Sequence, residues 1–331
     1  MEQLNNSPQE KLWKLAMGFA NTAILHALVK SEVIEELRFD SKTLDELVYA
    51  CGLNADVLFR TLRFAEVIEV IKLESGKYAL TSMGKLLLKD VPGNLYYDFL
   101  LAGSEPWQRA WQNLTYSLTI GENAFEAAMG TTFYDYLNRY QQYGNLYNQC
   151  MSISTKMSSK AIVEAYNFDS FNTVCDIGGG QGVLLQTIME ENPDLLGILF
   201  DQHSVIETHV LSDLSDRVSI KAGNFFEKVP STDLLILKSV LHNWDDEKAL
   251  MILNNCREAM SSSSRLLVIE MLIESPTDLI GAFYDLNMQV LFNGKERTQK
   301  EFDGLLKKAN LQIKRIIPTK SLVKIIEVIL E

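Results

Sequence analysis

The stretch TVCDIGGGQGVLLQTIM, residues 173–189, places four glycines between two apolar runs. The run before the glycines is short and β-rich, and the run after them has the apolar spacing of a helix that we expect to start near Val183. Glycine at a strand-to-helix turn lets the backbone bend sharply and approach a ligand without a Cβ in the way. This stretch therefore predicts a ligand-binding loop in an α/β fold.

The pattern of this stretch is repeated through the second half of the chain. The β-rich runs are TVCDI, GILFD, VSIKAG, DLLILKSVL and RLLVIEML, followed by a terminal pair at residues 313–318 and 323–330. Strands that alternate with helical segments predict a mostly parallel sheet with helices on both faces. We therefore expect the ligand at the carboxyl ends of these strands.

The first half of the chain has helical spacing. Apolar residues recur helically over residues 12–36, TLDELVYACGL predicts a helix that ends at Gly52, and a third helix over residues 55–69 leads into a hairpin around residues 74–76. Three helices and a hairpin form the outline of a winged helix. A helical stretch rich in aromatic residues follows over residues 94–166.

The composition disfavours several classes of partner. Lys and Arg total 31 against 43 Asp and Glu, a net charge of −12, and the short second helix of the winged-helix outline is acidic, so we expect no nucleic-acid partner. The four cysteines form no C-x-x-C pair, which argues against a zinc site or a disulfide framework. The first residues, MEQLNNSPQEKLWKL, lack the pattern of a signal peptide, and no run of about 18 uncharged apolar residues is present. We therefore expect a cytoplasmic protein without a membrane partner.

Two acidic residues distinguish between nucleoside cofactors. Asp176 lies just before the glycines, separated from Gly178 by one residue, where a carboxylate would repel a pyrophosphate but suits a cationic amino-acid ligand such as S-adenosylmethionine. The glycine spacing also fails the G-x-G-x-x-G/A pattern of NAD sites. Asp201 ends the next strand, about 20 residues after the last glycine, the spacing at which an acid binds ribose hydroxyls. A strand-end aspartate can also cap a helix, so the hypothesis rests on the glycines and both acids together.

The loop after the following strand, GNFFEKVP, supplies two more candidate cofactor contacts. Asn224 carries an amide that could contact an adenine edge, and Phe225 carries a ring that could pack on an adenine face.

Of the four histidines, one lies where chemistry is expected. His26 lies on the N-terminal helical face, and we place His203 and His209 in a helix after Asp201, so these three are expected to be structural or solvent-facing. His242 lies in KSVLHNWDDEKA, at the carboxyl end of the fourth strand of the sheet, beside the expected cofactor loop.

Two glutamates give His242 a chemical role. Glu270 ends the next strand and Glu296 lies in NGKERT. An imidazole held by a carboxylate is oriented and kept basic. We therefore predict that His242 is a general base that takes a proton from a substrate hydroxyl while the oxygen attacks the methyl group on sulfur.

These motifs, in this order, resemble those of the O-methyltransferase family that includes plant caffeic acid and flavonoid methyltransferases, acetylserotonin methyltransferases and bacterial antibiotic-tailoring enzymes. The motifs that carry the resemblance are DIGGGQG, FDQHSVIE, GNFF, LHNWDDE and GKERTQKEF. It implies an α/β fold: a Rossmann-like class I methyltransferase domain with a mostly helical N-terminal winged-helix dimerisation domain. The expected domains are residues 1–95 for dimerisation, 96–166 as a helical linker that lines the substrate, and 167–331 for catalysis.

The resemblance also assigns residues and partners. For the cofactor, S-adenosylmethionine, it implies contacts by Thr155, Asp176, Gly178, Gly180, Asp201, Gln202, Asn224, Phe225, Lys238 and Trp244. For catalysis it implies His242, flanked by Glu270 and Glu296, and for the acceptor it implies Tyr147, Met151, Ser154, Asn243, Asn287 and Met288. The expected product is S-adenosylhomocysteine, the expected acceptor is a small aromatic secondary metabolite, the expected assembly is a homodimer, and no metal is expected.

Three positions depart from the family pattern. Asn243 replaces an aspartate common after the histidine, Asn224 replaces the usual aspartate of the adenine segment, and Gln202 with His203 replaces a common Leu-Pro pair. None of them removes the base. Two alternative hypotheses remain: a carbon or nitrogen acceptor or a cyclisation assisted by the same cofactor, and a winged-helix regulator that senses the nucleoside.

Overall fold

The computed structural model describes residues 7–275 and 278–331, and the chain divides into two compact units, Met1–Gln108 and Arg109–Glu331. The first six residues, which belong to the stretch used for the signal-peptide expectation, lie outside the described residues.

The first unit contains the helices and hairpin of the winged-helix outline. Its elements are α1 (Pro8–Ala16), α2 (Gly18–Lys30), α3 (Val33–Glu36), α4 (Leu44–Cys51), α5 (Ala55–Val67), β1 (Ile71–Glu74), β2 (Lys77–Leu80) and α6 (Tyr96–Ala102), and α7 (Glu105–Gln112) contains the unit boundary. β1 and β2 pair antiparallel, as the turn residues predict. Residues 12–36 form three helices rather than one, because Met17 ends α1 and Glu32 adopts a left-handed conformation (φ 63°) before α3. Gly52, at φ 64°, caps α4 as predicted.

Residues 8–30 of this unit are long and apolar enough, by length and composition, to cross a membrane. We expected no such segment. The structure divides it between α1 and α2, and 11% of the apolar window is buried within the chain. A packed helix of a water-soluble protein and a signal sequence pass the same test.

The second unit is built around a seven-stranded sheet. Its strands are β3 (Thr173–Ile177), β4 (Leu196–Asp201), β5 (Val218–Ala222), β6 (Leu234–Lys238), β7 (Arg265–Glu270), β8 (Leu311–Pro318) and β9 (Lys324–Leu330). Its helices are α8 (Leu114–Ile120), α9 (Ala124–Met129), α10 (Phe133–Arg139), α11 (Gln141–Ala165), α12 (Val183–Glu191), α13 (His203–Ile206), α14 (Asp246–Ala259), α15 (Leu279–Phe292) and α16 (Gln299–Lys308).

The strand order, β5-β4-β3-β6-β7-β9-β8, is that of a doubly wound sheet with a central switch point. Strands β3 to β7 are parallel, and β9 is antiparallel to both of its neighbours. Buried apolar clusters cover both faces of the sheet. Because β3 lies between β4 and β6, the carboxyl ends of these three strands meet at one edge. The expected α/β architecture is confirmed, and this edge is where the sequence places the ligand.

Two local predictions were wrong. The run DLLILKSVL is longer than the strand it contains, because β6 ends at Lys238 and Ser239 takes a left-handed conformation (φ 55°). His209 is outside the predicted helix, because α13 ends at Ile206; its Nδ1 accepts a hydrogen bond from the backbone N–H of Leu211 (3.1 Å).

Candidate active site

The glycine loop connects β3 to α12 and leaves open space beside it. Gly180 has φ 60°, and a Cβ added there would meet no atom within 4 Å. Its backbone N–H donates a hydrogen bond to Asp201 Oδ2 (2.8 Å), and the N–H of Gln202 donates to Asp201 Oδ1 (2.6 Å). The loop and the end of β4 are thereby joined, and one carboxylate is oriented at the switch point of the sheet.

Of the two predicted cofactor acids, Asp176 is buried and Asp201 is half-buried, and burial disfavours their charged forms. Burial raises the pKa of Asp176 to about 7, with Asp201 adding to the rise and Lys238 opposing it. Burial raises the pKa of Asp201 to about 6, against its two backbone hydrogen bonds. Among the residues that the structure describes, Asp176 Oδ2 has no hydrogen-bond partner. A cation bound here would satisfy that oxygen and favour the ionised carboxylates.

A cavity of about 250 Å³, here called the cofactor cavity, lies at this edge of the sheet. It brings together many predicted residues: Tyr147, Met151, Thr155, Asp176, Gly178, Gly180, Asp201, Gln202, Phe225, Lys238, Asn243 and Trp244. A second cavity of about 760 Å³ shares Asp201, Gln202, Phe225 and Trp244 with it and adds Asn224. The side chain of Asn224 is engaged locally, because Oδ1 accepts from the N–H of Phe226 (3.0 Å) and Nδ2 donates to Glu227 (3.2 Å).

Lys238 connects the cavity to the next strand. Its Nζ donates a hydrogen bond to Thr155 Oγ1 on α11 (3.0 Å). Burial lowers the pKa of Lys238, whereas the carboxylates of Glu270 and Asp176 raise it. The ammonium group therefore interacts with both the cofactor cavity and the glutamate at the end of β7.

His242, Glu270 and Glu296 converge as predicted, and we call them the histidine–glutamate cluster. His242 Nδ1 lies 2.7 Å from Glu296 Oε1 and 3.5 Å from Glu270 Oε2. Because both carboxylates face Nδ1, the proton belongs on that nitrogen and Nε2 is left as the basic atom. Burial lowers the pKa of His242, but the charges of Glu270 and Glu296 and the hydrogen bond to Glu296 outweigh burial and raise the pKa to about 9.

The two glutamates have different second roles. Glu270 is fully buried, and its Oε1 accepts hydrogen bonds from the backbone N–H groups of Val240 (3.0 Å) and Leu241 (2.9 Å). Glu270 therefore holds the turn that leads from β6 to His242, and burial raises its pKa. Glu296 makes the shorter contact with the imidazole and orients it. The cofactor cavity is lined by Val240, two residues before His242, and by Asn243, directly after it.

Arg297 is a residue whose role the sequence analysis missed. It is 1% exposed, and its guanidinium donates to the carbonyls of Leu241 and Trp244 (both 2.8 Å) and to Asp246 Oδ1 (2.9 Å). These bonds fix the segment on both sides of His242. The available signal was its position directly after Glu296 in NGKERT.

Gly294 is a second missed residue beside the cluster. A Cβ there would lie 2.1 Å from the carbonyl oxygen of His242, so only glycine permits this approach of the two backbones. The N–H of Lys295 then donates to the same carbonyl (2.9 Å). Both neighbours of Glu296 in sequence thus support the loop that carries His242.

Tyr134 is a third missed residue, on the wall of both cavities. Asn243 Nδ2 donates a hydrogen bond to its hydroxyl (2.9 Å), and burial raises the pKa of that hydroxyl well above its usual value. The amide that replaces the usual aspartate therefore has a donor role within the cavity wall.

Three predicted acceptor residues are absent from the described linings of both cavities. Asn287 and Met288 are buried on α15, where Asn287 Oδ1 accepts a hydrogen bond from Trp111 Nε1 (3.3 Å). Ser154 is exposed on α11. Their contact with the acceptor stays a prediction.

The histidine–glutamate cluster also brings three possible metal-ligand atoms within 4.8 Å of one another. However, the 2.7 Å contact between His242 Nδ1 and Glu296 Oε1 has the length of a charge-assisted hydrogen bond, which requires a proton between the two atoms. The geometry therefore favours acid–base chemistry.

A doubly wound domain whose acid-lined cavity lies beside a histidine held by two carboxylates is consistent with an enzyme that uses a nucleoside cofactor. Residues 111–312, more than half of the chain, match the family model described as the O-methyltransferase domain. The chain is 33% identical over 323 residues to a phenazine O-methyltransferase of Lysobacter antibioticus, covering 96% of this chain and 94% of the relative. The chain belongs to the O-methyltransferase domain family.

Solved structures agree with this assignment. The structure of a mitomycin 7-O-methyltransferase matches with a TM-score of 0.94 and 31% identity, covering 98% of each chain. A methyltransferase of calicheamicin biosynthesis, with S-adenosylhomocysteine bound, matches with a TM-score of 0.85 and 30% identity over 98% of this chain and 100% of that one. The predicted fold class, enzyme class and cofactor, S-adenosylmethionine, are confirmed.

Proposed function

We propose that this enzyme transfers the methyl group of S-adenosylmethionine to a hydroxyl of a small aromatic secondary metabolite, with His242 as general base. The observation that carries the proposal is the 2.7 Å contact between His242 Nδ1 and Glu296 Oε1, in a loop whose residues Val240 and Asn243 line the cofactor cavity. The phenazine and mitomycin relatives support an aromatic acceptor. A carbon or nitrogen acceptor stays an alternative and is tested below with His242.

We assign the cofactor to the cavity by charge. Asp176, with its unpartnered oxygen, would bind the ammonium group, and Asp201 would accept from the ribose hydroxyls. Around them, the proposed contacts are Thr155, Gly178, Gly180, Gln202 and Lys238, with Asn224, Phe225 and Trp244 at the adenine end. When bound, the cofactor supplies an electrophilic methyl group on a sulfonium.

The histidine–glutamate cluster makes unprotonated His242 a stronger base toward a phenol. A phenol has a pKa of about 10, and ordinary imidazole one of about 6.5, so the transfer would be uphill by roughly 5 kcal/mol. With a pKa of about 9, unprotonated His242 lowers the cost of this transfer to roughly 1.4 kcal/mol, and the imidazole must lose its own proton before it can act. Such general-base assistance is typically worth ~10² to 10⁴-fold in rate.

The acceptor would lie between this cluster and the methyl group. Tyr147, Met151 and Asn243 line the cavity, and sulfur and aromatic edges suit a flat, apolar ring. Ser154, Asn287 and Met288 are proposed from the family resemblance to extend this surface.

We further propose that residues 1–95 form the dimerisation domain of a cytoplasmic homodimer, with 96–166 as linker and 167–331 as catalytic domain. Support comes from exposed apolar side chains on α1 and α2, where Leu12, Trp13, Leu15 and Phe19 are each at least 68% exposed. A second copy would cover this surface, and sedimentation velocity measures the assembly.

Calorimetric titration with S-adenosylhomocysteine tests the cofactor site. We expect micromolar binding by the native protein and by Asp194→Ala, whose side chain is exposed, and loss of binding in Asp201→Ala. NAD should not bind. Binding by Asp201→Ala with unchanged affinity would disprove the placement, and binding without methylation of any phenol would favour the nucleoside-sensing alternative.

A further inference from the structure

Gln181, inside the glycine loop, makes side-chain hydrogen bonds to two other parts of the cavity wall. Its Oε1 accepts a hydrogen bond from Ser152 Oγ on α11 (2.6 Å). Its Nε2 donates to the carbonyl oxygen (3.2 Å) and to the hydroxyl oxygen (2.9 Å) of Thr208. One amide therefore connects the glycine loop, α11 and the segment after β4.

The segment that Gln181 holds forms one side of the cofactor cavity. Residues 204, 205, 207 and 208 line that cavity, and α11 contributes Met151 and Thr155 on either side of Ser152. A second side-chain bond links the segment to α10, from Ser204 Oγ to Asn138 Oδ1 (3.2 Å), and it is exposed to water. Water competes for exposed hydrogen bonds, including the two from Gln181 to Thr208, so the part-buried bond from Ser152 to Gln181 is the strongest of these contacts.

Gln181 acts from outside the cavity. Its side chain is absent from the described lining of the cofactor cavity, whereas Thr208 and the flanking Gly180 belong to it. Its backbone is held as well, because the N–H of Val210 donates to the Gln181 carbonyl (2.9 Å). Gln181 is therefore a positioning residue, whose effect on a ligand passes through the walls that it joins.

We propose that Gln181 fastens residues 204–208 and α11 against the glycine loop and thereby limits how fast the cofactor leaves. The inference rests on the proposed placement of the cofactor in this cavity. An amide is required at this position because it accepts from Ser152 with its oxygen and donates to Thr208 with its nitrogen. A carboxylate would keep the first bond and lose the second.

Stopped-flow dissociation of S-adenosylhomocysteine tests this role. We expect Gln181→Ala to raise the dissociation rate about tenfold, the effect of losing roughly 1.4 kcal/mol of hydrogen bonding. Gln181→Glu should fall between Gln181→Ala and the native protein. The matched control is Gln186→Ala on α12, whose Nε2 donates to Glu190 (3.0 Å) away from the cavity and which should change the rate less than twofold.

Variants of the partners separate this role from a general effect on folding. Ser152→Ala removes one end of the connection, and Thr208→Val removes the hydroxyl acceptor at the other end while the backbone carbonyl of residue 208 stays available to Gln181. Neither variant alters the glycine loop, and each should raise the dissociation rate, Thr208→Val by less than Ser152→Ala. Thr208→Ser, which retains the hydroxyl, should dissociate at the native rate. The melting temperature of the ligand-free variants should match that of Gln186→Ala.

Two outcomes would overturn the inference. If Gln181→Ala and Ser152→Ala release the ligand at the native rate while Asp201→Ala abolishes binding, the cofactor placement stands and the fastening role is wrong. If the dissociation rates change only in proportion to lost thermal stability, Gln181 is structural. Unchanged binding in Asp201→Ala would instead reject the placement itself.

Discussion

The cofactor cavity and the histidine–glutamate cluster adjoin one another, but their charges are balanced in opposite ways. In the cavity, burial raises the pKa values of Asp176 and Asp201, and Asp176 Oδ2 has no hydrogen-bond partner in the described structure. In the cluster, two carboxylates face Nδ1 of the half-buried imidazole and raise its pKa to about 9. In the first site Lys238 offsets the rise in the pKa of Asp176 only in part, whereas in the second the carboxylates raise the pKa of the imidazole strongly.

The difference shows which parts of the enzyme are organised before ligands arrive. The cluster is held by the chain itself, because Arg297 and Glu270 fix the backbone on both sides of His242. The cavity carboxyls are costly to bury in charged form and become favourable when a cationic ligand binds. The acid–base residues are thus positioned before ligands bind, whereas the acids of the neighbouring cavity are stabilised in their charged forms only when the cationic cofactor binds.

The largest expected effect is on turnover, and substitution of His242 tests the histidine–glutamate cluster without changing the cofactor cavity. His242→Ala removes the base but none of the proposed cofactor contacts, so turnover should fall by about two orders of magnitude or more while the affinity for S-adenosylhomocysteine stays unchanged. Initial rates with a phenolic acceptor and calorimetry measure the two quantities. His203→Ala, an exposed histidine, is the matched control. Native turnover in His242→Ala would indicate an acceptor that needs no base and would favour the alternative of a carbon or nitrogen acceptor.

The sequence predicted the cofactor and catalytic residues of this site better than the residues that hold them in position. Asp176, Asp201 and Glu270 lie at the carboxyl ends of strands, and the glycines and His242 follow strands. Because the carboxyl ends of parallel strands meet at one edge, the convergence of these residues could be inferred from their order along the chain.

The supporting residues could not be inferred in this way. Arg297 acts on backbone carbonyls more than 50 residues away, and Gly294 matters only because another backbone passes within contact distance. The hydroxyl of Tyr134 meets an amide 109 residues distant in sequence. Such contacts depend on the packing of helices against the sheet, which periodicity does not specify.

A smaller effect, on cofactor affinity, is expected for Asp176→Asn, which tests the role of the acidic charge in the cofactor cavity. Affinity for S-adenosylhomocysteine should fall about 10- to 100-fold, because a charge-assisted hydrogen bond to the ammonium group is lost. The ligand-free variant should nevertheless melt at a higher temperature. The folded pKa of Asp176, about 7, exceeds the ordinary 3.8, so native stability decreases as pH rises between these values, and the gain should grow over the same range.

Calorimetry and thermal melts from pH 4 to 8 check both parts of this prediction. Asp194→Asn, at an exposed position, should change neither quantity. If Asp176→Asn bound the ligand with native affinity, the ammonium group would lie elsewhere. If the ligand-free variant were less stable than the native protein, groups of the chain itself would already stabilise the charged form of Asp176.

The smallest effect concerns the pH dependence set by the balanced cluster. Because the imidazole must be unprotonated to act as a base, kcat/KM should rise with pH until about 9, the raised pKa of His242. Glu296→Gln removes one of the two charges that raise this pKa, so the rising limb should move to lower pH by roughly one unit. Glu247→Gln, an exposed carboxyl near the same loop, should leave the limb in place. All variants are measured with the same acceptor, so ionisation of the acceptor affects every pH profile equally. If the rising limb of the profile stays in place in Glu296→Gln, the group that titrates in catalysis is not His242 held by this carboxylate.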